Sequence, residues 1–308
     1  MPLLGRAIAR VLPAVPRPVV RRLSARYIAG SELAHAVRVV RALNAGGKAA
    51  TLDILGEEVR RPEQAAAIVA EYLGALEAIE RERLDANVSI KPTAVGLRLG
   101  PGVAREKLAT LARAAAERGT FVRIDMEDSS TTSDTLALYR QLRVEGIDNI
   151  GVVLQAELLR TLDDVDDLAP LRPNVRVCKG IYAEPASVSY QEVAAIRENF
   201  VRAVETLLEA GAYVAVATHD TWLVDECRRI VEGRGLGPEA YELQLLLGVK
   251  PELADALVRE GRRVRVYVPH GRQRYEYSLR RLQENPLVAG YVASDLLRRV
   301  VPRSGRHA

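Results

Sequence analysis

Aromatic side chains are scarce in this sequence: Phe, Trp and Tyr make up 5% of 308 residues, with two Phe and one Trp. Base-stacking platforms for single-stranded nucleic acid would be sparse in such a chain. Cysteine is nearly absent. Cys178 and Cys227 are too few for a disulfide framework and fit a reducing, cytosolic setting. No run of about 18 apolar residues occurs, so no segment reads as a transmembrane helix. Lysine is rare as well. Lys48, Lys91, Lys107, Lys179 and Lys250 are the only five, leaving 39 arginines among the 44 basic residues. The four histidines, His35, His219, His270 and His307, are scattered, and neither His-x-x-x-His nor Cys-x-x-Cys occurs, so no metal site is read. Gly-x-Ser-x-Gly and the Walker lysine loop are missing too, which argues against acyl-enzyme and P-loop chemistry.

What remains is ordinary globular composition, 48% hydrophobic and 27% charged, with a formal charge of +4. A basic balance can mark nucleic-acid or anionic-lipid binding. Here most arginines sit near Asp or Glu at helical spacing, as in Arg81-Glu82-Arg83 and Arg197-Glu198, which reads as a solvated face. Residues 1–30 differ: Pro13, Pro16 and Pro18 interrupt a basic stretch in which Arg6, Arg10, Arg17, Arg21, Arg22 and Arg26 alternate with apolar residues. It lacks the unbroken apolar core of a signal peptide. Residues 1–46 read as a helical segment packed on the main domain; a membrane-surface role for the basic stretch is the alternative.

From residue 47 a rhythm sets in. Short β-branched runs at 50–55, 88–92, 121–127, 151–155, 175–179, 213–219, 241–247 and 264–269 alternate with helical patterns at 61–83, 103–118, 132–145, 157–168, 189–210, 221–232, 250–260 and 273–284. Strict alternation implies parallel strands with right-handed crossovers. Eight such units in about 240 residues is the count that closes a (β/α)8 TIM-type barrel, here over 47–308, with the final helix over the mouth. An open doubly wound sheet is the alternative. The one glycine-rich stretch, Gly233 to Gly237, follows a helix and reads as a helix stop, not a dinucleotide loop.

Barrel function lies at the C-terminal strand ends. There the sequence places Asp53 and Glu57, Lys91, Asp125 to Asp128, Gln155, Arg176 with Lys179, His219 with Asp220, Gln244, and Tyr267 with His270. Such groups are costly to bury singly, so their concentration points to a site. Lys91 paired with Asp125 has a purely structural reading as an ion pair. Tyr277, Arg280, Arg281 and Glu284 share one face of the last helix, and two adjacent arginines beside a tyrosine suit a carboxylate. A Schiff-base lysine at Lys91 or Lys179 is one reading. A large anionic cofactor beside a small carboxylate is the other, served by two cationic pairs, Arg176 with Lys179 and Arg280 with Arg281.

At these residues the sequence resembles the proline dehydrogenase family, in its short, single-function bacterial form. The resemblance runs from Leu52 to Glu284 through Asp53 to Glu57, Val88 to Lys91, Ile124 to Glu127, Val153 to Gln155, Val175 to Gly180 with Tyr182, Ala217 to His219, Gln244 with Leu246 and Gly248, Arg265 to Pro269, and Tyr277 to Asn285. It implies a flavin-dependent barrel that oxidises L-proline to 1-pyrroline-5-carboxylate, reduces FAD and passes the electrons to a membrane quinone. By that resemblance Lys91, Arg280 and Arg281 hold the proline carboxylate, and Tyr267, Tyr277 and Leu246 wall the ring. Asp125 orients Lys91 and Tyr267. Met126, Gln155, Arg176, Lys179, Gly180, Ile181, Tyr182, Thr218, His219 and Glu284 bind FAD, with Arg176 tuning the flavin. Glu57 gates the pocket by pairing with the first clamp arginine. Ile181, Asp220 and Pro92 depart from the commoner residues at their positions. The implied setting is cytoplasmic, with peripheral contact at the inner membrane face and a separate pyrroline-5-carboxylate dehydrogenase as partner; nucleic acid is not one.

Overall fold

Each of the apolar runs becomes a strand because alternate β-branched side chains pack outward against a helix. The structure is a computed structural model that describes residues 26–272. Tyr277, Arg280, Arg281 and Glu284, with most of the proline-punctuated start, lie outside the described residues. Eight parallel strands form a closed barrel in sequence order: β1 (Ala49–Ile54), β2 (Ala86–Ile90), β3 (Val122–Ile124), β4 (Ile150–Gln155), β5 (Asn174–Cys178), β6 (Tyr213–Ala217), β7 (Tyr241–Leu246) and β8 (Val264–His270). β8 closes on β1 with Thr51 opposite Tyr267 and Asp53 opposite Pro269. The helices are α1 (Leu33–Ala45), α2 (Pro62–Arg81), α3 (Pro101–Glu117), α4 (Thr132–Val144), α5 (Thr161–Leu168), α6 (Val193–Glu209), α7 (Thr221–Gly233) and α8 (Pro251–Arg259). The open-sheet alternative is thereby excluded. Among the described residues no helix is long and apolar enough to cross a membrane.

Local chemistry explains the boundaries. Proline opens α2, α3 and α8, where its missing N–H costs nothing. Gln64 Oε1 accepts from the Arg60 and Arg61 N–H groups, both at 3.1 Å, and caps α2. The Asp220 side chain caps α7 by accepting from the Trp222 N–H at 3.2 Å. α7 ends at Gly233, and Gly235 takes φ +64°, so the glycine-rich stretch is the expected helix stop. Several expected elements are shorter than the pattern suggests, and two of them show why. The third strand ladder ends at Ile124, because the chain then leaves the sheet at the mouth. α5 begins at Thr161 because residues 157–159 bond across to the next loop, Glu157 N–H to Lys179 O at 2.7 Å and Leu159 N–H to Val188 O at 3.0 Å. Within the N-terminal segment, α1 buries Ala36, Val37 and Val40 against β1 and β8.

The hydrophobic core is an annulus between sheet and helices. Leu52, Val88, Ile90, Ile124, Val152, Val177, Val216, Leu243 and Val268 all lie buried in it. The lumen is not apolar. Thr51, Asp53, Asn87, Ser89, Arg123, Asp125, Arg176, Glu242, Gln244 and Arg265 are all buried, and their bonds from strand to strand cross the barrel interior. Polar groups are thus concentrated at the C-terminal strand ends but not confined to them. Strand alternation sends every second residue inward, and polar side chains recur in that series at several depths, with Gly151, Val153 and Ala215 between them.

Arg123 shows what this demands of its neighbours. Its guanidinium lies across the lumen floor, donating from Nη1 to the carbonyls of Val152 at 2.9 Å and Asn174 at 2.7 Å. It stacks over Phe121 with 5.0 Å to the ring centroid. Only glycine fits beside it. A Cβ on Gly151 would stand 2.6 Å from both Arg123 Nη1 and Phe121 Cζ, and closer still to the Asn174 carbonyl. Gly151→Ala is expected to destabilise the fold by about 1–3 kcal/mol through overpacking, read as a lower urea midpoint at unchanged slope. An unaltered midpoint would show that the floor is not packed as described.

Candidate active site

Two ionic groups meet in the upper lumen. Lys91, just past β2, donates from Nζ to Asp53 Oδ1 on the adjacent β1 at 2.9 Å. Asp125, just past β3, is the hub of the other. Its Oδ1 accepts from Arg176 Nη1 at 2.6 Å and from Ser89 Oγ at 2.5 Å, and its Oδ2 from the Tyr267 hydroxyl at 2.8 Å. Arg176 also donates from Nε to Gln244 Oε1 at 2.6 Å and stacks over the Tyr267 ring at 5.2 Å to the centroid. Four strand ends are thus tied to one carboxylate. Burial pushes the Asp125 carboxyl up, but the Arg176 and Lys91 charges and two hydroxyl donors outweigh it and hold the group below its usual range. It stays an anion, and so keeps Arg176 and Tyr267 in place.

Glu127 stands near this group but faces differently. Its carboxylate accepts from the Thr93 N–H at 2.9 Å and the Thr93 Oγ1 at 2.6 Å. Burial nevertheless raises it to about 7, so it is half protonated near neutrality. Cys178 on β5 is raised to about 12 by burial, which leaves a thiol and removes it as a nucleophile.

The rim beyond β5 and β6 carries a third group. Asp220 is clasped by Lys179 and, in a two-pronged pair, by Arg197, with Nε to Oδ2 at 2.8 Å and Nη2 to Oδ1 at 2.9 Å. These donors draw Asp220 down to about 2 despite its desolvation. Arg197 also lies over the exposed Trp222 ring at 5.1 Å to the centroid. Arg197 keeps part of its side chain in solvent, and its partners are Asp220 and the Trp222 ring, because α6 brings it against the start of α7. Gly180 takes φ +109° and has Glu157 packed where a Cβ would stand, so the Lys179–Gly180 turn needs glycine.

The structure joins some expected residues and separates others. Asp125 and Tyr267 bond as expected, but Lys91 bonds Asp53, not Asp125. Register alone would not say so, since Ile90 lies opposite Ile124 and the next step sets Lys91 beside Asp125; the Asp125 oxygens are instead taken by Ser89, Arg176 and Tyr267, and Lys91 reaches down to Asp53, which lies opposite Ser89. Arg176 and Lys179 do not form one cationic pair. Arg176 is committed to Asp125 and Gln244, and Lys179 to Asp220. Met126, Gln155 and Thr218 are buried, and Leu246, Tyr267, Ile181, Tyr182, His219 and Glu57 are half-buried. Sequence reasoning gave no role to Ser89, Glu242 or Arg265. The signal was available, since polar residues recur at every second position in β2, β7 and β8. Neither lysine sits in a Schiff-base setting: a carboxylate engages each ammonium, the reverse of the apolar or cation-rich surroundings that activate such a lysine. A cavity of about 810 Å³ opens at the opposite, N-terminal face, lined among others by Arg118, Arg123, Arg263, Glu80, Asp85 and Glu242. Two of its ion pairs are Arg118 with Glu80 at 3.2 Å and Arg263 with Asp85 at 3.5 Å, and barrel chemistry belongs to the other end.

His219 supports the mouth as a neutral acceptor. Its Nε2 accepts from the Leu246 N–H at 2.9 Å, and Lys250 donates to its carbonyl at 2.8 Å. Burial, with Lys250 adding to it, lowers His219 to about 4. The unfolded chain titrates near the ordinary value and binds the extra proton, so this residue makes stability rise between pH 4 and 6.5. His219→Gln keeps an acceptor and is expected to flatten that rise by on the order of 2 kcal/mol, measured as melting temperature against pH. An equal slope in wild type and variant would contradict the buried, neutral imidazole.

The fold and its polar mouth define a (β/α)8-barrel enzyme. Sequence comparison then makes the assignment specific: the profile described as proline dehydrogenase matches residues 36–294. The chain is 37% identical over 300 residues to the proline dehydrogenase of Deinococcus radiodurans, covering 94% of this chain and 97% of that one. It is 35% identical over 279 residues to proline dehydrogenase 1 of Bacillus subtilis strain 168, covering 90% and 92%. Among solved structures, proline utilization A from Bdellovibrio bacteriovorus, inactivated by N-propargylglycine, superposes with a TM-score of 0.82 at 22% identity, over 95% of this chain and 38% of that one. Proline utilization A from Corynebacterium freiburgense gives a TM-score of 0.76 at 23% identity, over 99% and 35%. This chain thus spans between a third and two fifths of those longer proteins, and the likeness to them is one of fold. The chain belongs to the proline dehydrogenase family and is an oxidoreductase.

Proposed function

We propose that this protein oxidises L-proline to 1-pyrroline-5-carboxylate, with FAD accepting the two electrons and a membrane quinone receiving them in turn. The observation that carries the reading is the Asp125 hub, with Arg176 and Tyr267 on it and the Lys91–Asp53 pair beside it, in a chain of this family. The residues present fit a flavin. Among the described residues, Gln155 Oε1 and Arg176 Nη2 are buried without a hydrogen-bond partner, one an acceptor and the other a donor. A flavin pyrimidine edge offers both an N–H and several acceptor atoms, which is the complementary set. In this reading Gln155, Arg176, Met126, Lys179, Gly180, Ile181, Tyr182, Thr218, His219 and Glu284 hold the cofactor. The cofactor supplies a hydride acceptor.

The chain supplies position and charge. Lys91, Arg280 and Arg281 hold the substrate carboxylate, and Tyr267, Tyr277 and Leu246 wall the ring. Asp125 keeps the Tyr267 hydroxyl and the Arg176 guanidinium fixed, so little reorganisation is left for the reaction itself. Oxidation removes a hydride from the ring carbon bonded to nitrogen and a proton from that nitrogen, leaving a C=N bond. The nitrogen lone pair must drive this, so the neutral amine reacts. Glu57 gates the pocket by pairing with Arg280. The arginines within residues 1–30 carry positive charge that favours approach to an anionic bilayer, where a quinone resides. A separate pyrroline-5-carboxylate dehydrogenase then consumes the product.

The direct test is the absorbance spectrum of the purified protein before and after anaerobic L-proline. A flavin spectrum that bleaches is expected; a colourless protein that takes up no FAD ends the proposal. Arg281→Met is expected to cost about 2–4 kcal/mol in kcat/KM, mainly through KM. Normal proline kinetics in that variant would remove Arg281 from the clamp.

A further inference from the structure

The ionic mouth does not end at Asp125 and Arg176. Gln244, which accepts from Arg176 Nε at 2.6 Å, donates from its own Nε2 to Glu242 Oε1 at 2.6 Å. Glu242 is gripped from its other side by Arg265 Nε, at 2.8 and 3.0 Å to its two oxygens. Arg265 Nη1 is anchored on the Ala50 carbonyl at 2.8 Å. A buried row of four side chains, Arg265, Glu242, Gln244 and Arg176, therefore links the lower lumen to the mouth. Burial pushes the Glu242 carboxyl up, but Arg265 and the Gln244 amide hold it below its usual range, so it stays ionised.

Gln244 is the member with two unlike ends. A carboxylate only accepts and a guanidinium only donates. Glu242 therefore draws the amide NH2 to itself and turns the amide oxygen toward Arg176. The reversed amide would set oxygen against carboxylate and NH2 against guanidinium, leaving four buried polar groups opposed. With the amide fixed, Arg176 is held along two edges, Nε by Gln244 and Nη1 by Asp125. Nη2 is then the one nitrogen of the guanidinium, among the described contacts, left for another ligand.

We propose that Glu242, braced by Arg265, is a positioning residue for the active site: acting through the Gln244 amide, it sets the guanidinium plane of Arg176 and so reserves Nη2 for the electron-accepting ring. The identity of that ring rests on the proline dehydrogenase reading above; the relay itself does not. Small neighbours make room for it, since Ala215 lies opposite both Arg176 and Glu242 in the strand register.

The test uses the FAD-loaded full chain with Glu242→Gln, which removes the charge at constant shape, and Gln244→Met, which removes the acceptor but keeps the Glu242–Arg265 pair. Hydrogen exchange of the Arg176 Nε–H, followed by 15N NMR and assigned by its loss in Arg176→Lys, is expected to quicken by about tenfold or more in both variants. The flavin midpoint potential is expected to fall, because a loosened guanidinium stabilises the reduced ring less. The proline kcat should fall roughly tenfold with KM within about twofold, since the carboxylate clamp is untouched. Unchanged Nε–H exchange together with an unchanged potential in Glu242→Gln would overturn the proposal. Should that variant not fold, the same null result in Gln244→Met would do so. Should the wild-type chain bind no flavin, the functional reading fails, while the Nε–H exchange in that same protein still decides the relay.

Discussion

The Asp125–Arg176 bridge spans the barrel from β3 to β5, and most of the mouth is arranged around it. Both charges are buried, and in that setting each needs the other: an uncompensated carboxylate or guanidinium in the lumen would cost several kcal/mol. The bridge in turn fixes Tyr267 through its hydroxyl and its ring face, and leaves Arg176 one edge for Gln244. Ser89 completes the hub. One ion pair thus determines where a phenol, an amide and a guanidinium stand, and those are the groups that border the proposed flavin and proline.

This arrangement divides the labour of the fold. The annulus between sheet and helices is apolar and supplies the burial that drives folding. The lumen is built from paired charges and amides, which contribute little net stability but leave few alternative packings, because every partner must be satisfied at once. At the N-terminal face Arg118 meets Glu80 and Arg263 meets Asp85. At the mouth an acceptor on Gln155 and a donor on Arg176 are left over, and leftover polar atoms in a buried setting are a request for a ligand.

Membership of the proline dehydrogenase family and the geometry of the mouth support one another without repeating the same information. The relatives assign the family over nearly the whole chain. The structure explains why the polar strand ends are tolerated, and why neither lysine suits covalent catalysis. It also moves attention downward, to Glu242 and Arg265, whose effect on the mouth passes through a single amide.

The periodic alternation of short β-branched runs with amphipathic helices made the eight-stranded barrel legible, because strand and helix periods are local properties of the chain. The strand-end positions of Lys91, Asp125, Gln155, Arg176 and Tyr267 were legible for the same reason. Their partners were not. Whether Lys91 meets Asp53 or Asp125, and whether Arg176 stands with Lys179 or with Gln244, depends on which side chains cross the lumen and which acceptors are already taken. Arg123, Glu242 and Arg265 were passed over although they alternate visibly with apolar neighbours, since period two says that a residue faces inward but not what it meets there. The sequence by itself determined which residues form the barrel and which face the lumen, for these follow from backbone geometry and solvent aversion. Only the tertiary structure decided which charge neutralises which, because electrostatic pairing is set by distance in space between strands far apart in the chain.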